Sequence, residues 1–181
     1  MKIAVSGTHG VGKSTLIDEF MRQHPEFVHE PEPYTVMAED LGEEFSAEPC
    51  VEDFQRQLDF NIDRLNQHAA EENVIYERCP IDFLAYIHAL DPQSAEALLE
   101  RVTEAVQHLE LIVYLPFDGT AGQDEFPKLQ RAVGRRLSSI YRDDEFGIMS
   151  STNVTVVQAE GPTDQRLRTL ERSMNIKHAS L

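Results

Sequence analysis

Residues 7–14 read Gly7-Thr8-His9-Gly10-Val11-Gly12-Lys13-Ser14, the pattern G-x-x-x-x-G-K-[ST], between the apolar run Ile3-Ala4-Val5 and the pair Leu16-Ile17. This context predicts a strand, a tight turn that glycines permit, and a helix. Such a turn lets successive backbone N–H groups converge on phosphate oxygens, and the helix after it adds its positive N-terminal end. Lys13 is then placed to reach the β- and γ-phosphates of a nucleoside triphosphate, and the Ser14 hydroxyl to ligate a divalent cation. Gly7, Thr8, His9, Gly10, Val11, Gly12, Lys13, Ser14 and Thr15 together form the expected donor site.

Outward from this loop, short apolar runs alternate with helical patterns. Strands are predicted at Lys2–Ser6, Phe27–His29, Val74–Tyr76, Leu111–Leu115 and Val154–Gln158. Helices are predicted near Lys13–Gln23, Val51–Glu71, Ile81–Leu90, Ser94–His108, Lys128–Asp143 and Thr163–Met174. Pro80, Pro92 and Pro162 stand where helices begin, as proline's tolerance in a first turn allows. Strands separated by helices imply right-handed βαβ units and a parallel sheet covered on both faces, with ligands at the carboxyl ends of the strands. The expected fold is a three-layer α/β domain with a five-stranded parallel sheet, spanning residues 1–181, with a lid over about 117–142.

The 181 residues include 16 lysines and arginines against 32 acidic residues, a formal net charge of −16. That field repels polyanions, so polymeric nucleic acid and anionic membrane surfaces are poor partners, whereas a small phosphate can still be held by local amides and arginines. The two cysteines, Cys50 and Cys79, have no zinc or disulfide spacing. No signal-peptide pattern and no apolar run of membrane-spanning length is present, so a cytoplasmic protein is expected.

Four further groups of residues are candidates for chemistry. Glu77-Arg78-Cys79-Pro80-Ile81-Asp82 follows the third strand. There a carboxylate can hold Mg²⁺ or take a proton, and Arg78 can neutralise a transferring phosphoryl group. After the second strand comes His29-Glu30-Pro31-Glu32-Pro33-Tyr34, stiffened by alternating prolines. Glu30 is the first choice for a general base there and Glu32 its rival. Gln57 and Arg64 are two helical turns apart and so share a face that could read a planar ring, although Gln55 could be the facing residue instead. Finally, Phe117–Phe126 is followed by Lys128, Arg131, Arg135, Arg136 and Arg142, which are five of the 16 basic residues. A loop leading into such a helix suits a lid that closes over phosphates, with Arg131 and Arg135 as its catalytic cations.

Taken together, these residues resemble the P-loop kinases of small molecules, and the resemblance covers nearly the whole chain. The opening Val5–Thr15 is similar to the ribosylnicotinamide-kinase-like group of P-loop ATPases, while Glu30-Pro31, Gln57, Arg64, Glu77-Arg78-Cys79 and the lid arginines are similar to the deoxynucleoside kinases. The resemblance implies a P-loop NTPase fold and ATP and Mg²⁺ as cofactors, with Ser14 and Glu77 serving the metal. It further implies Glu30 as base for a 5′-hydroxyl, and Tyr34, Gln57, Arg64 and Asp82 around a small-molecule phosphoryl acceptor. Pairing of two chains through the helix at Val51–Glu71 is also implied. The chain departs from the family at Cys79, where serine is usual, in the shorter offset to Asp82, and in having no tryptophan, for which Tyr34 could stand in. A competing reading is a nucleotide-dependent ATPase or switch acting on a protein partner, and another is a nucleotide-binding module that has lost catalysis. The chain has no Asn/Thr-Lys-x-Asp guanine-reading motif and no apolar run ending in Asp-Glu, which weighs against GTPases and motor ATPases.

Overall fold

Glycine-poor runs of branched and aromatic residues form five parallel strands, and the long amphipathic segments between them form helices on both faces. The computed structural model describes residues 1–119 and 125–178. The strands are β1 (Lys2–Ser6), β2 (Val28–Glu30), β3 (Val74–Glu77), β4 (Leu111–Tyr114) and β5 (Thr155–Gln158), in the spatial order β2-β3-β1-β4-β5. The register sets Val5 beside Glu77 and Val113, and Tyr114 beside Gln158, which aligns the carboxyl ends along one edge.

Side chains alternate across the sheet, as the two-residue period of a strand requires. Ile3, Val5, Ile75, Leu111 and Val113 pack on one side with Leu16, Ile17 and Phe20 of α1 (Lys13–Gln23) and Leu167 and Leu170 of α8 (Thr163–His178). Ala4, Tyr76, Ile112 and Tyr114 face the other way. There they meet α3 (Val51–Gln67), α4 (Pro80–Leu90), α6 (Leu99–Val106) and α7 (Pro127–Asp143). This is the expected three-layer P-loop arrangement. Because α1 leaves β1 towards one face and α4 leaves β3 towards the other, a crevice opens between the ends of these two neighbours, where open α/β sheets bind ligands.

Several boundaries differ from the sequence expectation. The second strand begins one residue later, because Phe27 turns into the core against Phe20. The long pattern at 94–108 divides into α5 (Pro92–Glu96) and α6, and the stretch after Pro33 forms one turn, α2 (Pro33–Thr35), followed by a π-helical turn at Val36–Asp40. Pro127 opens α7 as Pro80 and Pro92 open α4 and α5. Residues 120–124 of the expected lid lie outside the described residues. Leu58, Ile62 and Leu65 of α3 are turned into the core, while Glu52, Asp59, Asp63 and Asn66 are exposed. Among the described residues no helix is long and apolar enough to cross a membrane.

Leu84 is wholly buried within α4, on the side of the sheet shared by α3 and α7. Leu84→Ala is expected to destabilise the fold by about 2–5 kcal/mol, measured by urea denaturation, through lost burial and the cavity it leaves.

Candidate active site

The turn after β1 depends on glycine at both ends. At Gly7, φ is 154° and a Cβ would lie 2.7 Å from the Leu115 carbonyl oxygen. At Gly12, which caps α1, φ is 91°. Between them the chain curls so that Lys13, only 4% exposed, folds back and donates from Nζ to the Thr8 carbonyl at 2.9 Å. Burial, aided by the nearby Arg78 charge, pulls the Lys13 pKa down to about 8.

Asp82 fixes this turn to the end of β3. Its Oδ1 accepts from the Gly7 N–H at 2.8 Å and from the Ser6 hydroxyl at 3.0 Å, and its Oδ2 accepts from the Cys79 N–H at 2.8 Å, closing the first turn of α4. Tyr141 of α7 extends the chain by donating to Ser6 Oγ at 2.8 Å. Asp82 has no exposed surface, so the acceptor contact expected of it is replaced by an internal tie. A short polar side chain three residues into a proline-opened helix reads in sequence as either.

Glu77 and Ser14 are brought together, with the Ser14 hydroxyl donating to Glu77 Oε1 at 2.7 Å. Both offer hard oxygen donors suited to Mg²⁺. Among the described residues there is no group of three His, Cys, Asp or Glu that could hold a metal ion. Arg78 adopts φ 75°, an unusual conformation for a side chain of this size, and is held there by its N–H bond to Val5 O at 3.0 Å. Its guanidinium donates to Glu32 and, at 3.1 Å, to Gly7 O, and lies over the Tyr86 ring. Burial alone would lower the Arg78 pKa, but the Glu32 charge outweighs it and raises it. Burial raises that of Glu32, yet Arg78 and Lys13 prevail and bring it down to about 2.

A cavity of about 880 Å³ opens beside this pair. Glu32, Tyr34, Gln57 and Arg78 line it, with aromatic walls from Phe45, Phe54, Phe83 and Tyr86. Tyr34 packs at a tilt on Phe45 and Phe54 stacks on Tyr86, at centroid distances of 4.8 and 4.6 Å. Glu30 and Arg64 do not line this cavity, contrary to expectation. Glu30 ends β2 with its carboxylate turned to α3, where Arg64 Nε donates to it at 2.7 Å and His68 lies 2.6 Å away. These bonds overcome the effect of burial and keep its pKa below the usual carboxylate range. Arg64 shares the face of Gln57 but sits two turns, about 10 Å, further along α3, beyond the cavity.

The start of α7, which belongs to the segment expected to form a lid, reaches the site with Phe126, Leu129 and Gln130 at the cavity. Arg136 is turned away to Glu145, and Arg142 reaches Gln158 at the end of β5. Arg131 and Arg135 are exposed, and among the described residues neither is paired.

Residues 2–157 match the family model described as AAA domain. The chain belongs to the AAA domain family. No curated protein matches this AAA domain significantly. Among solved structures it is similar to deoxyadenosine kinase from M. mycoides with the products dCMP and a flexible dCDP bound, at 18% identity and a TM-score of 0.66, over 97% of this chain and 99% of that one. The same kinase with bound dATP gives 17% identity and a TM-score of 0.63, over 97% and 100% of the two chains. The NadR protein in complex with NR gives 15% identity and a TM-score of 0.67, over 96% of this chain but half of that one. The AAA domain therefore shares the fold of the small-molecule kinases that its motifs resemble. Sequence reading of this AAA domain missed Gln130 and Arg166, which bond the phosphate loop; neither sits in a recognisable motif.

Lys13 bears a stability cost with a definite pH dependence. Below pH 8 it is charged in both folded and unfolded chains, and the folded state carries the buried charge; from pH 8 to 10.5 the folded chain loses the proton first and the penalty fades. Lys13→Met is expected to raise stability at pH 7 by about 1–3 kcal/mol, with the gain shrinking towards pH 10.5, as followed by urea denaturation across that range.

Proposed function

We propose that this chain is a Mg²⁺- and ATP-dependent kinase that phosphorylates a hydroxyl of a nucleoside-like small molecule. The observation carrying this reading is the Glu32–Arg78 pair between the phosphate loop and the aromatic cavity. A carboxylate at that junction can accept a hydrogen bond from an acceptor hydroxyl in the cavity, and the guanidinium beside it can meet the transferring phosphoryl group. The hydroxyl oxygen bonds to the γ-phosphorus as the bond to the β–γ bridging oxygen breaks; ADP leaves, and the hydroxyl proton passes to Glu32. A carboxylate of such low pKa is a weak base, which suffices where the transition state is loose and the proton leaves late. Ser14 and Glu77 are the residues that would hold Mg²⁺, whose charge when bound offsets that of the β- and γ-phosphates. Lys13 reaches the same phosphates, and Arg131 and Arg135 are the cations free to close over them.

The cavity's charges favour a hydroxyl acceptor over a monophosphate. Glu32, Glu43, Asp53 and Glu125 line it; Glu43 and Asp53 are ion-paired with Arg56, and among the described residues the one arginine of the lining, Arg78, is committed to Glu32. An entering phosphate would meet carboxylates with no uncommitted arginine to clamp it. The planar aromatic walls and the Gln57 amide suit a heterocycle.

Incubation with Mg·ATP and a panel of nucleosides, ribosylnicotinamide and nucleoside monophosphates, with detection of ADP and phosphorylated product, tests the reading. A neutral or cationic nucleoside should be phosphorylated and the monophosphates should not. Failure of every acceptor to raise ADP release above background overturns it, and slow release without acceptor points instead to a nucleotide-dependent switch. Glu32→Gln should lower kcat about 10²–10⁴-fold, the range for loss of a positioned base, while Glu30→Gln should leave kcat within about threefold. On the free enzyme, kcat/KM for ATP should fall as pH rises through about 8, where Lys13 loses its charge, with no acid limb from Glu32 above pH 4.

A further inference from the structure

We infer that Gln130 and Arg166 are positioning residues of the donor site, holding the phosphate loop from outside so that its N–H groups stay aimed inward. This rests on the reading of Gly7 to Ser14 as the triphosphate site. A trans peptide unit carries its carbonyl and the next N–H in opposite directions within one plane. Whatever anchors a carbonyl therefore also fixes the N–H that follows it. Gln130 Nε2 donates to the His9 carbonyl at 2.7 Å, which orients the N–H of Gly10. Arg166 donates from its terminal nitrogen to the Val11 carbonyl at 2.6 Å, which orients the N–H of Gly12. Gly10 and Gly12 both have positive φ, 74° and 91°, and without a Cβ their peptides turn over most easily.

The two straps come from different elements, α7 and α8, and no helix or sheet hydrogen bond requires either of them. Arg166 is half-buried, no ion pair to it is formed among the described residues, and its Nε has no hydrogen-bond partner there. Its terminal nitrogen is committed to the loop carbonyl, and its positive charge lies beside the N-terminus of α1. A Cβ at Gly12 would lie 3.1 Å from its terminal nitrogen, so the side chain packs directly on the loop. Gln130 belongs to the lid helix, so the same bond that orients Gly10 also ties the loop to the element expected to close over the nucleotide.

Gln130→Met and Arg166→Met keep the bulk of each side chain and remove its donor. Binding of Mg·ATP and of ADP is measured by titration calorimetry beside thermal melting. Each variant should weaken ATP binding about five- to tenfold, the loss of one oriented N–H, with Tm within about 2 °C of the parent chain; the double variant should lose the product of the two factors. In Arg166→Met, whose side chain does not line the acceptor cavity, the KM for the acceptor should stay within twofold while that for ATP rises. Wild-type affinity in both folded variants, or a loss that only follows a fall in Tm and is recovered at lower temperature, overturns the proposal. Failure of the parent chain itself to bind ATP removes the donor-site reading and this inference with it.

Discussion

A buried carboxylate with three donors, that of Asp82, is the contact on which the arrangement of the site depends. Burying an unpaired charge is costly, and the cost is offset here because Ser6, Gly7 and Cys79 all donate to it and the N-terminus of α4 adds its dipole. Two of those donors belong to the end of β1 and the third to the turn after β3. The single group therefore sets the distance between the phosphate loop and Glu77-Arg78. With that distance fixed, Ser14 meets Glu77 and Arg78 reaches both Gly7 and Glu32. Tyr141 extends the same chain of bonds to α7, so that helix is registered against the loop as well.

The charge distribution separates the whole molecule from its site. The chain carries a net charge of −16, yet Lys13 and Arg78 are both almost fully buried beside the phosphate loop. Arg78 is compensated by Glu32, whereas Lys13 is left with a depressed pKa, despite the nearby Glu32, Asp82 and Glu77, and among the described residues it hydrogen-bonds only a carbonyl. A buried ammonium without a full counterion is a store of unfavourable free energy that an incoming phosphate releases. A net charge of this size repels like charge at long range, whereas the field at the loop itself is positive.

Part of the site was legible because its residues are adjacent in sequence. The phosphate loop and Glu77-Arg78 each lie within a few residues of a strand end, and the strand delivers them to the same edge. Glu30 and Glu32 could not be separated this way, since both follow β2 and both flank a proline. The distinction arises because the strand stops at Glu30, whose carboxylate meets Arg64 and His68 of α3, while Glu32, at the start of α2, meets Arg78. Gln57 and Arg64 share a helix face, as their spacing requires, but the cavity extends under only one of them.

The sequence by itself determined the strand–loop–helix unit, the parallel three-layer order and the residues at the carboxyl edge, because strand period, glycine spacing and helix phase are local properties of the chain. Tertiary structure decided which carboxylate enters the cavity, that Asp82 ties the fold together, and that Gln130 and Arg166 grip the loop. Those assignments depend on contacts between residues up to 155 positions apart, and the direction of a side chain across such a gap is set by packing of whole elements rather than by any spacing along the chain.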